Sequence, residues 1–229
     1  MNSWRAYRAL VRWEWVREMK RKETLLSMLL FSLITLMVFS FAIPPDSATG
    51  VKARSGILWV AFLLAGSIGV DRAFRGEGQG LVLEGLLLSP VGRITLYYAK
   101  ITTTLLFVLL MEVATFVAFC LLYNVEALAA ERIVWILVIM VAGTLGIVAV
   151  GVTLSAMTRS MRGGDVLFRI LLFPLLIPLF YAAVNATDLI FKGGQLDFRH
   201  LGLIGGFDII YLAAGQMLFQ PILADFDSG

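Results

Sequence analysis

Two carboxylates interrupt strongly apolar runs, where an ionised acid is costly. Glu112 lies near the middle of the run 101–123, and Asp208 follows the glycine-rich stretch 202–206. Acids at membrane depth face a partner or a polar cavity and often mark transport pathways, so both are candidates for a transport or coupling role. The alternatives are a buried hydrogen bond or a subunit contact for Glu112. For Asp208 they are a polar vestibule or a helix break.

A third acid, Glu84, lies in a short apolar segment, 81–88, between two longer hydrophobic runs. Eight helical residues reach only about 12 Å, so this segment cannot cross a hydrocarbon core of about 30 Å. The Ser89-Pro90 sequence that follows predicts the end of a mini-helix. Its apolar face can occupy a groove on a partner while Glu84 meets a basic residue there. The alternative is a helix that touches only lipid, which Glu84 disfavours because anionic headgroups repel it.

Several common chemistries are absent from the sequence. It has no G-x-x-x-x-G-K-[ST] loop for ATP phosphates and no Cys-x-x-Cys-His motif for covalent c-type haem. One histidine, His200, and one cysteine, Cys120, cannot form an ordinary metal site. We interpret His200 as a polar interface residue; the alternative, an axial haem ligand, would require a partner ligand such as one from another chain. We interpret Cys120 as a packing residue. No nucleophile–base pair indicates an enzyme, and we expect the chain alone to bind no cofactor and no metal.

The elements that position these acids are membrane-spanning helices. The 229 residues are 59% hydrophobic and 15% charged, with a mean hydropathy of +0.88, whereas soluble domains are about 25% charged. The apolar runs do not alternate, which excludes a β-barrel. The sequence therefore predicts an all-α integral membrane protein with one domain over residues 1–229. Six runs predict transmembrane helices: 25–43, 57–70, 101–123, 133–157, 170–186 and 201–223.

Three further patterns predict how the spans lie and pack. The second run is short, and we expect it to extend at both ends, with Arg54 and Arg72 reaching the interfaces. Pro174 and Pro178 predict a kink in the fifth span. The fourth run carries glycines that allow a neighbouring helix to approach closely: Gly143, Gly146 and Gly151.

Basic residues predict the orientation. Fourteen of the 19 lysines and arginines fall in the N-terminal segment and in the connections after the second and fourth spans, and five fall in the other connections. Connections rich in lysine and arginine stay in the cytoplasm, so both termini are predicted to be cytoplasmic. The net charge of +3 is therefore a topology signal and does not indicate nucleic-acid binding.

Residues 4–22 are predicted to form an amphipathic helix on the cytoplasmic leaflet. Arginines occupy the rest of its surface. One alternative is a solvated basic tail. Another is a signal peptide cleaved after the small-residue stretch 40–42, although its basic segment would exceed twenty residues. The apolar residues recur at helical spacing: Trp4, Tyr7, Val11 and Trp15.

The amphipathic helix, the six spans and the short loop after the second span together resemble the permease half of type-2 ABC transporters. The pattern Leu-Glu-x-Leu-x-x-x-Pro of that group occurs as 83-LEGLLLSP-90. Two longer stretches, 56-GILWVAFLLAGSIGVDRAFRGE-77 and 162-RGGDVLFRILLFPLLIPLFYAA-183, narrow the resemblance. They are similar to the cytochrome c maturation protein B (CcmB) family, also called haem exporter protein B.

This resemblance implies a permease subunit in the bacterial inner membrane. It implies four partners: a CcmA-like ABC ATPase subunit, a CcmC-like haem-handling membrane subunit, a CcmD-like single-span subunit and a CcmE-like periplasmic haem chaperone. ATP would bind the ATPase subunit, and the complex would handle haem for c-type cytochrome biogenesis.

The resemblance also implies that the cytoplasmic region 71–98 couples the permease to the ATPase. A generic type-2 exporter of lipids or drugs, acting as a homodimer, is one alternative function, and a membrane scaffold without an ATPase is another. The residues expected at the ATPase interface are Arg75, Glu77, Leu81, Leu83, Glu84, Leu87, Ser89 and Pro90.

Overall fold

Residues 3–20, 22–75, 92–125, 129–158, 163–194 and 197–226 are described by a computed structural model. In these ranges every regular element is an α-helix. Six helices, α2 to α7, are long and apolar enough to cross a membrane, which confirms the all-α integral membrane prediction. The helices are α1 (Ser3–Lys20), α2 (Lys22–Ala42), α3 (Ala48–Arg75), α4 (Arg93–Leu122), α5 (Ala130–Thr158), α6 (Gly164–Phe191) and α7 (Phe198–Phe226).

Consecutive spans run in opposite directions. α2, α4 and α6 therefore begin at the end of the bundle where α3, α5 and α7 finish. This end, called the basic end below, carries the basic N-terminal helix α1. The other end holds the described connecting residues 43–47, 123–125 and 192–194.

Helix α3 extends the short second apolar run in both directions, as predicted. It begins where the Ser47 hydroxyl accepts a hydrogen bond from the Gly50 N–H at 2.9 Å, which caps the first turn. Its 28 residues reach about 42 Å. Arg54 donates to the carbonyl of Phe191 on α6, and Arg72 donates to the hydroxyl of Thr24 on α2, both at 2.8 Å. Each arginine therefore ties α3 to a neighbouring helix.

Helix α5 is the centre of the bundle and packs against α3, α4, α6 and α7. A Cβ on Gly143 would stand 2.3 Å from the ring of Trp59, and one on Gly151 would stand 2.1 Å from Val70 Cγ1. Both contacts are closer than any side chain allows, so α3 lies directly against the backbone of α5. This confirms the prediction of close packing at these glycines.

Helix α6 continues through both of its prolines, and left-handed glycines bound it. Gly163 has φ +76° before its first turn, and Gly193 has φ +79° after its last, conformations that glycine adopts without strain. The Tyr211 hydroxyl of α7 donates to the Leu175 carbonyl in the turn between the prolines.

Hydrogen bonds between the spans satisfy polar groups that lipid cannot satisfy. The indole N–H of Trp59 donates to the hydroxyl of Thr187 at 2.9 Å, and Ser32 and Thr115 share a hydrogen bond of 2.8 Å. Such bonds between membrane helices contribute about 0.6 kcal/mol on average. They fix the register of the helices more than they determine the stability of the bundle.

Helix α1 packs along α4 instead of resting on lipid alone. Ala6, Leu10 and Glu14, spaced four residues apart, form its buried stripe, while Trp4 is 66% exposed. Tyr7, beside that stripe, shares a 2.7 Å hydrogen bond with Thr102 of α4. The sequence identifies the amphipathic helix, but the protein-facing stripe is one position away from the predicted aromatic face.

Candidate coupling site at the basic end

The two ends of the predicted coupling region emerge side by side. α3 ends at Arg75, α4 begins at Arg93, and the two helices pack together. The backbone of Arg75 belongs to the last turn of α3. The other residues expected at the ATPase interface lie outside the described residues: Glu77, Leu81, Leu83, Glu84, Leu87, Ser89 and Pro90.

A buried ion pair fastens these two ends to α1. The Lys100 ammonium group lies 2.8 Å from Glu14 Oε1, and the two side chains are 2% and 3% exposed. Lys100 also donates a 3.0 Å hydrogen bond to the carbonyl of Ala73, two residues before the end of α3. A single side chain on α4 thus joins α1 and α3 immediately beside the coupling region.

The sequence places these groups by helix geometry. Lys100 lies seven residues into α4, about 10 Å from its start. Its amine therefore lies inside the helical bundle and not in the connection between α3 and α4. Glu14 continues the buried Ala6–Leu10 stripe by one further turn. Removing two charges from water costs several kcal/mol each, and a close opposite charge with additional hydrogen bonds offsets that cost.

Two more polar contacts extend this network around the basic end. The Arg72 guanidinium binds Thr24 at the start of α2. On the other side of the loop, the Tyr98 hydroxyl donates to the side-chain oxygen of Gln216 on α7 at 2.8 Å. The helices α3 and α4 are therefore connected to α1, α2 and α7 near the basic end.

Sequence reasoning missed the Glu14–Lys100 pair. Lys100 is counted there as a loop cation, and Glu14 is hidden among the arginines of α1. The spacing Ala6, Leu10, Glu14 was the available signal, because residues four apart share a helix face. Nothing in the linear sequence, however, joins that face to a lysine 86 residues later (100 minus 14).

Glu112 is fully buried at the centre of the bundle. Its Oε2 accepts a 2.6 Å hydrogen bond from the Thr144 hydroxyl of α5. Its Oε1 has no hydrogen-bond partner in the described part of the chain. Twelve residues, about 18 Å of helix, separate Glu112 from Lys100. The acid belongs to the α4–α5 contact and not to the coupling site.

Asp208 approaches α5 from another side. It is 6% exposed, and its Oδ1 would lie 2.7 Å from a Cβ placed on Gly146. Within the described residues this oxygen accepts no hydrogen bond. Thr144 and Gly146 are two positions apart on α5 and therefore point to nearly opposite sides. The fold thus brings the two intramembrane acids to one helix without forming a joint site.

Potential metal and haem ligands remain apart. Within the described residues, no three histidine, cysteine, aspartate or glutamate side chains gather into a metal site. His200 is in the first turn of α7, and Cys120 is half-buried near the end of α4. Neither residue contributes to the coupling site.

Comparison with known proteins covers almost the whole bundle. A family model described as CcmB protein matches residues 5–219. Heme exporter protein B of Pseudomonas aeruginosa is 28% identical over 195 residues, covering 85% of this chain and 82% of that protein. Heme exporter protein B of Haemophilus influenzae is 29% identical over 197 residues, covering 82% of this chain and 85% of that protein. The family match includes both Glu14 and Lys100.

Proposed function

Because the chain belongs to the CcmB protein family, we propose that it is the membrane-spanning subunit of a haem exporter that serves c-type cytochrome biogenesis. The name heme exporter protein B, carried by relatives that match over most of their length, supports the haem cargo. The chain is a transporter component and not a catalytic subunit. Its six spans are the part that such a component needs to cross the bilayer.

The proposed partners are those that membership of this family implies. A separate ABC ATPase subunit hydrolyses ATP, in keeping with a chain that has no G-x-x-x-x-G-K-[ST] loop. A haem-handling membrane subunit and a periplasmic haem chaperone bind the haem, and a small single-span subunit accompanies them. The assembly lies in the bacterial inner membrane, with both termini of this chain in the cytoplasm.

The mechanism is mechanical, and the Glu14–Lys100 pair is the observation that carries it. The ATPase binds the segment 81–87 and displaces it during hydrolysis. Because Lys100 joins Glu14 on α1 to Ala73 on α3, the loop ends and α1 move as one unit. The spans then transmit this movement to the haem-handling partner, and the haem-loaded chaperone is released.

The cargo is tested by deleting the gene in its host and measuring covalent haem in c-type cytochromes. We expect covalent haem to be lost and to return when the intact chain is expressed. Normal cytochrome maturation in the deletion strain would contradict the haem assignment. It would favour the generic exporter instead.

Docking is tested in the assembled complex with Glu84→Lys and with a Leu83→Ala/Leu87→Ala double variant. Apolar burial gives about 1.5–3 kcal/mol per leucine, and a like charge opposes a basic partner, so both variants should lose ATPase co-purification and cytochrome maturation. Glu131→Lys, the same substitution at the other end of the bundle, is the control and should retain both. If both docking variants retain the ATPase at wild-type levels, the segment contacts only lipid.

A further inference from the structure

A groove of about 520 Å³ lies between α1 and the outward side of α4. It is separate from the coupling site and is open to the surroundings of the bundle. Arg8, Arg12, Tyr7, Val11 and Trp15 line it from α1, and Leu106 lines it from α4. Its wall is therefore cationic at one edge and apolar along the other.

Two arginines at the cationic edge have no ion-pair partner among the described residues. Arg8 and Arg12 are four residues apart on one exposed face, where like charges repel. Neither arginine is in an ion pair within the described part of the chain. An anion between them would remove that repulsion.

Three other cavities differ in this respect. The cavity beside Arg72 and Arg169 also contains Asp71, the one beside Arg132 contains Glu131, and the one at Lys100 contains Glu14. In each of them a carboxylate of this chain accompanies the cation. Among the described residues that line it, the groove on α1 has two guanidinium groups and no carboxylate.

The apolar edge leads into the membrane. Tyr7 is hydrogen-bonded to Thr102, and Leu106 lies one helical turn deeper along α4. From there an exposed apolar stripe continues for fifteen residues, about 22 Å, which exceeds half of a hydrocarbon core of about 30 Å. The stripe consists of Leu106, Leu110, Val113, Val117 and Leu121.

We infer that this groove binds one anionic phospholipid of the leaflet at the basic end. Its phosphate lies between the guanidinium groups of Arg8 and Arg12, and its acyl chains follow the α4 stripe from Leu106. One guanidinium group can donate two parallel hydrogen bonds to the oxygens of a phosphate, which favours arginine at such a site. Tyr7 and Trp15 lie where aromatic side chains stabilise the membrane–water interface.

The combination of features selects the ligand. A soluble anion would use the two arginines and leave the apolar track empty. A zwitterionic lipid would bring its own cation to an already cationic edge. An anionic phospholipid would bind the arginines with its phosphate and the apolar edge with its acyl chains. It would thereby hold α1 at the membrane surface beside α4.

The test compares lipid retained by the purified full-length chain. Wild-type protein and an Arg8→Gln/Arg12→Gln variant are incubated with mixed micelles of phosphatidylglycerol and phosphatidylcholine, and bound lipid is measured by native mass spectrometry. We expect the wild type to retain about one phosphatidylglycerol, and the variant to bind it at least tenfold more weakly, since each basic residue contributes severalfold to anionic-lipid binding.

Two control variants separate a defined site from diffuse charge attraction. Lys20→Gln/Lys22→Gln removes the same charge outside the groove and should retain the lipid. Leu106→Trp fills the apolar edge with the charge unchanged and should lose it, which also tests the site if the arginine variant does not fold.

Two outcomes would overturn the assignment. Equal loss in both double variants, with retention in Leu106→Trp, would mean that overall charge alone attracts lipid. Inorganic phosphate that displaces phosphatidylglycerol at equal concentration would identify a free-anion site instead.

Discussion

Glu14 and Lys100 form a charge pair inside an otherwise apolar bundle, so each charge depends on the other. Removing one member of a buried pair costs about 3–5 kcal/mol, whereas replacing both by apolar groups of similar size is often neutral. Since the two groups are 2% and 3% exposed, solvent screening gives little relief. Their contribution is therefore to position α1, α3 and α4 as much as to stabilise them.

For this pair we predict that Glu14→Gln and Lys100→Met each lower the free energy of unfolding of the purified chain by roughly 3–5 kcal/mol. The combined Glu14→Met/Lys100→Met variant should recover most of that loss. If the double variant is also fully coupled to the ATPase in the assembled complex, the pair has only a packing role. Thermal unfolding in detergent and ATP hydrolysis in the complex are the measurements.

Glu112 raises a different question, because its single hydrogen bond is compatible with a structural role. We predict that Glu112→Gln, which keeps the shape and the acceptor for Thr144, supports normal cytochrome maturation. Thr144→Val should cost about 0.6–1.7 kcal/mol, the range for a hydrogen bond between membrane helices. A folded Glu112→Gln protein without maturation activity would instead show that the ionisable proton is used. Size-exclusion profiles and haem-stained cytochromes distinguish these outcomes.

At the scale of elements, α5 determines how closely the spans pack. At Gly143 and Gly151 its bare backbone lies against side chains of α3, and Trp59 fills the space that a side chain at position 143 would occupy. Association of membrane helices depends on such contacts because lipid is as apolar as a protein interior. Small changes on this helix should therefore act strongly on the whole bundle.

Gly143→Ala is predicted to destabilise the chain by about 1–3 kcal/mol, the usual cost of overpacking, because its Cβ would overlap the Trp59 ring. Gly205→Ala in α7 is the matched control. Nothing lies within 4 Å of a Cβ there, so the change should be neutral or slightly stabilising. Equal unfolding temperatures for the two variants would contradict the close-packing interpretation.

At the scale of the whole molecule, orientation in the membrane decides which end of the bundle is accessible to the proposed ATPase. The basic end carries most of the lysines and arginines, and the proposed coupling region and the proposed lipid groove are both assigned to it. If this end faces the cytoplasm, the basic residues, the proposed coupling region and the proposed lipid groove all lie on the cytoplasmic side of the membrane. The opposite orientation would place the coupling region out of reach of a cytoplasmic ATPase.

We predict that single cysteines at positions 93 and 162 are protected from an impermeant thiol reagent in intact cells, while those at 52 and 199 are labelled. The reason is the fourteen-to-five distribution of basic residues. A Cys120→Ser background removes the native thiol, and permeabilised cells provide the positive control. Labelling at 93 or 162 but not at 52 or 199 would reverse the topology.

Much of this molecule follows from its sequence, because its main signals are local. The length and polarity of each apolar run predict six spans, and each run lies within one helix except for the last residue of the runs 25–43 and 101–123. The periodicity of residues 4–22 predicts the amphipathic helix found at Ser3–Lys20. The motifs 83-LEGLLLSP-90 and 162-RGGDVLFRILLFPLLIPLFYAA-183 indicate the family that the comparison establishes.

Only the tertiary structure decided which side of each helix faces protein and which faces lipid. Both surroundings are apolar, so a spanning helix needs no polar face, and its sequence carries little contrast between the two sides. For this reason the sequence could not pair Lys100 with Glu14 or Glu112 with Thr144, and it could not assign Leu106 to an exposed stripe. Those assignments depend on shape complementarity between helices distant in the chain.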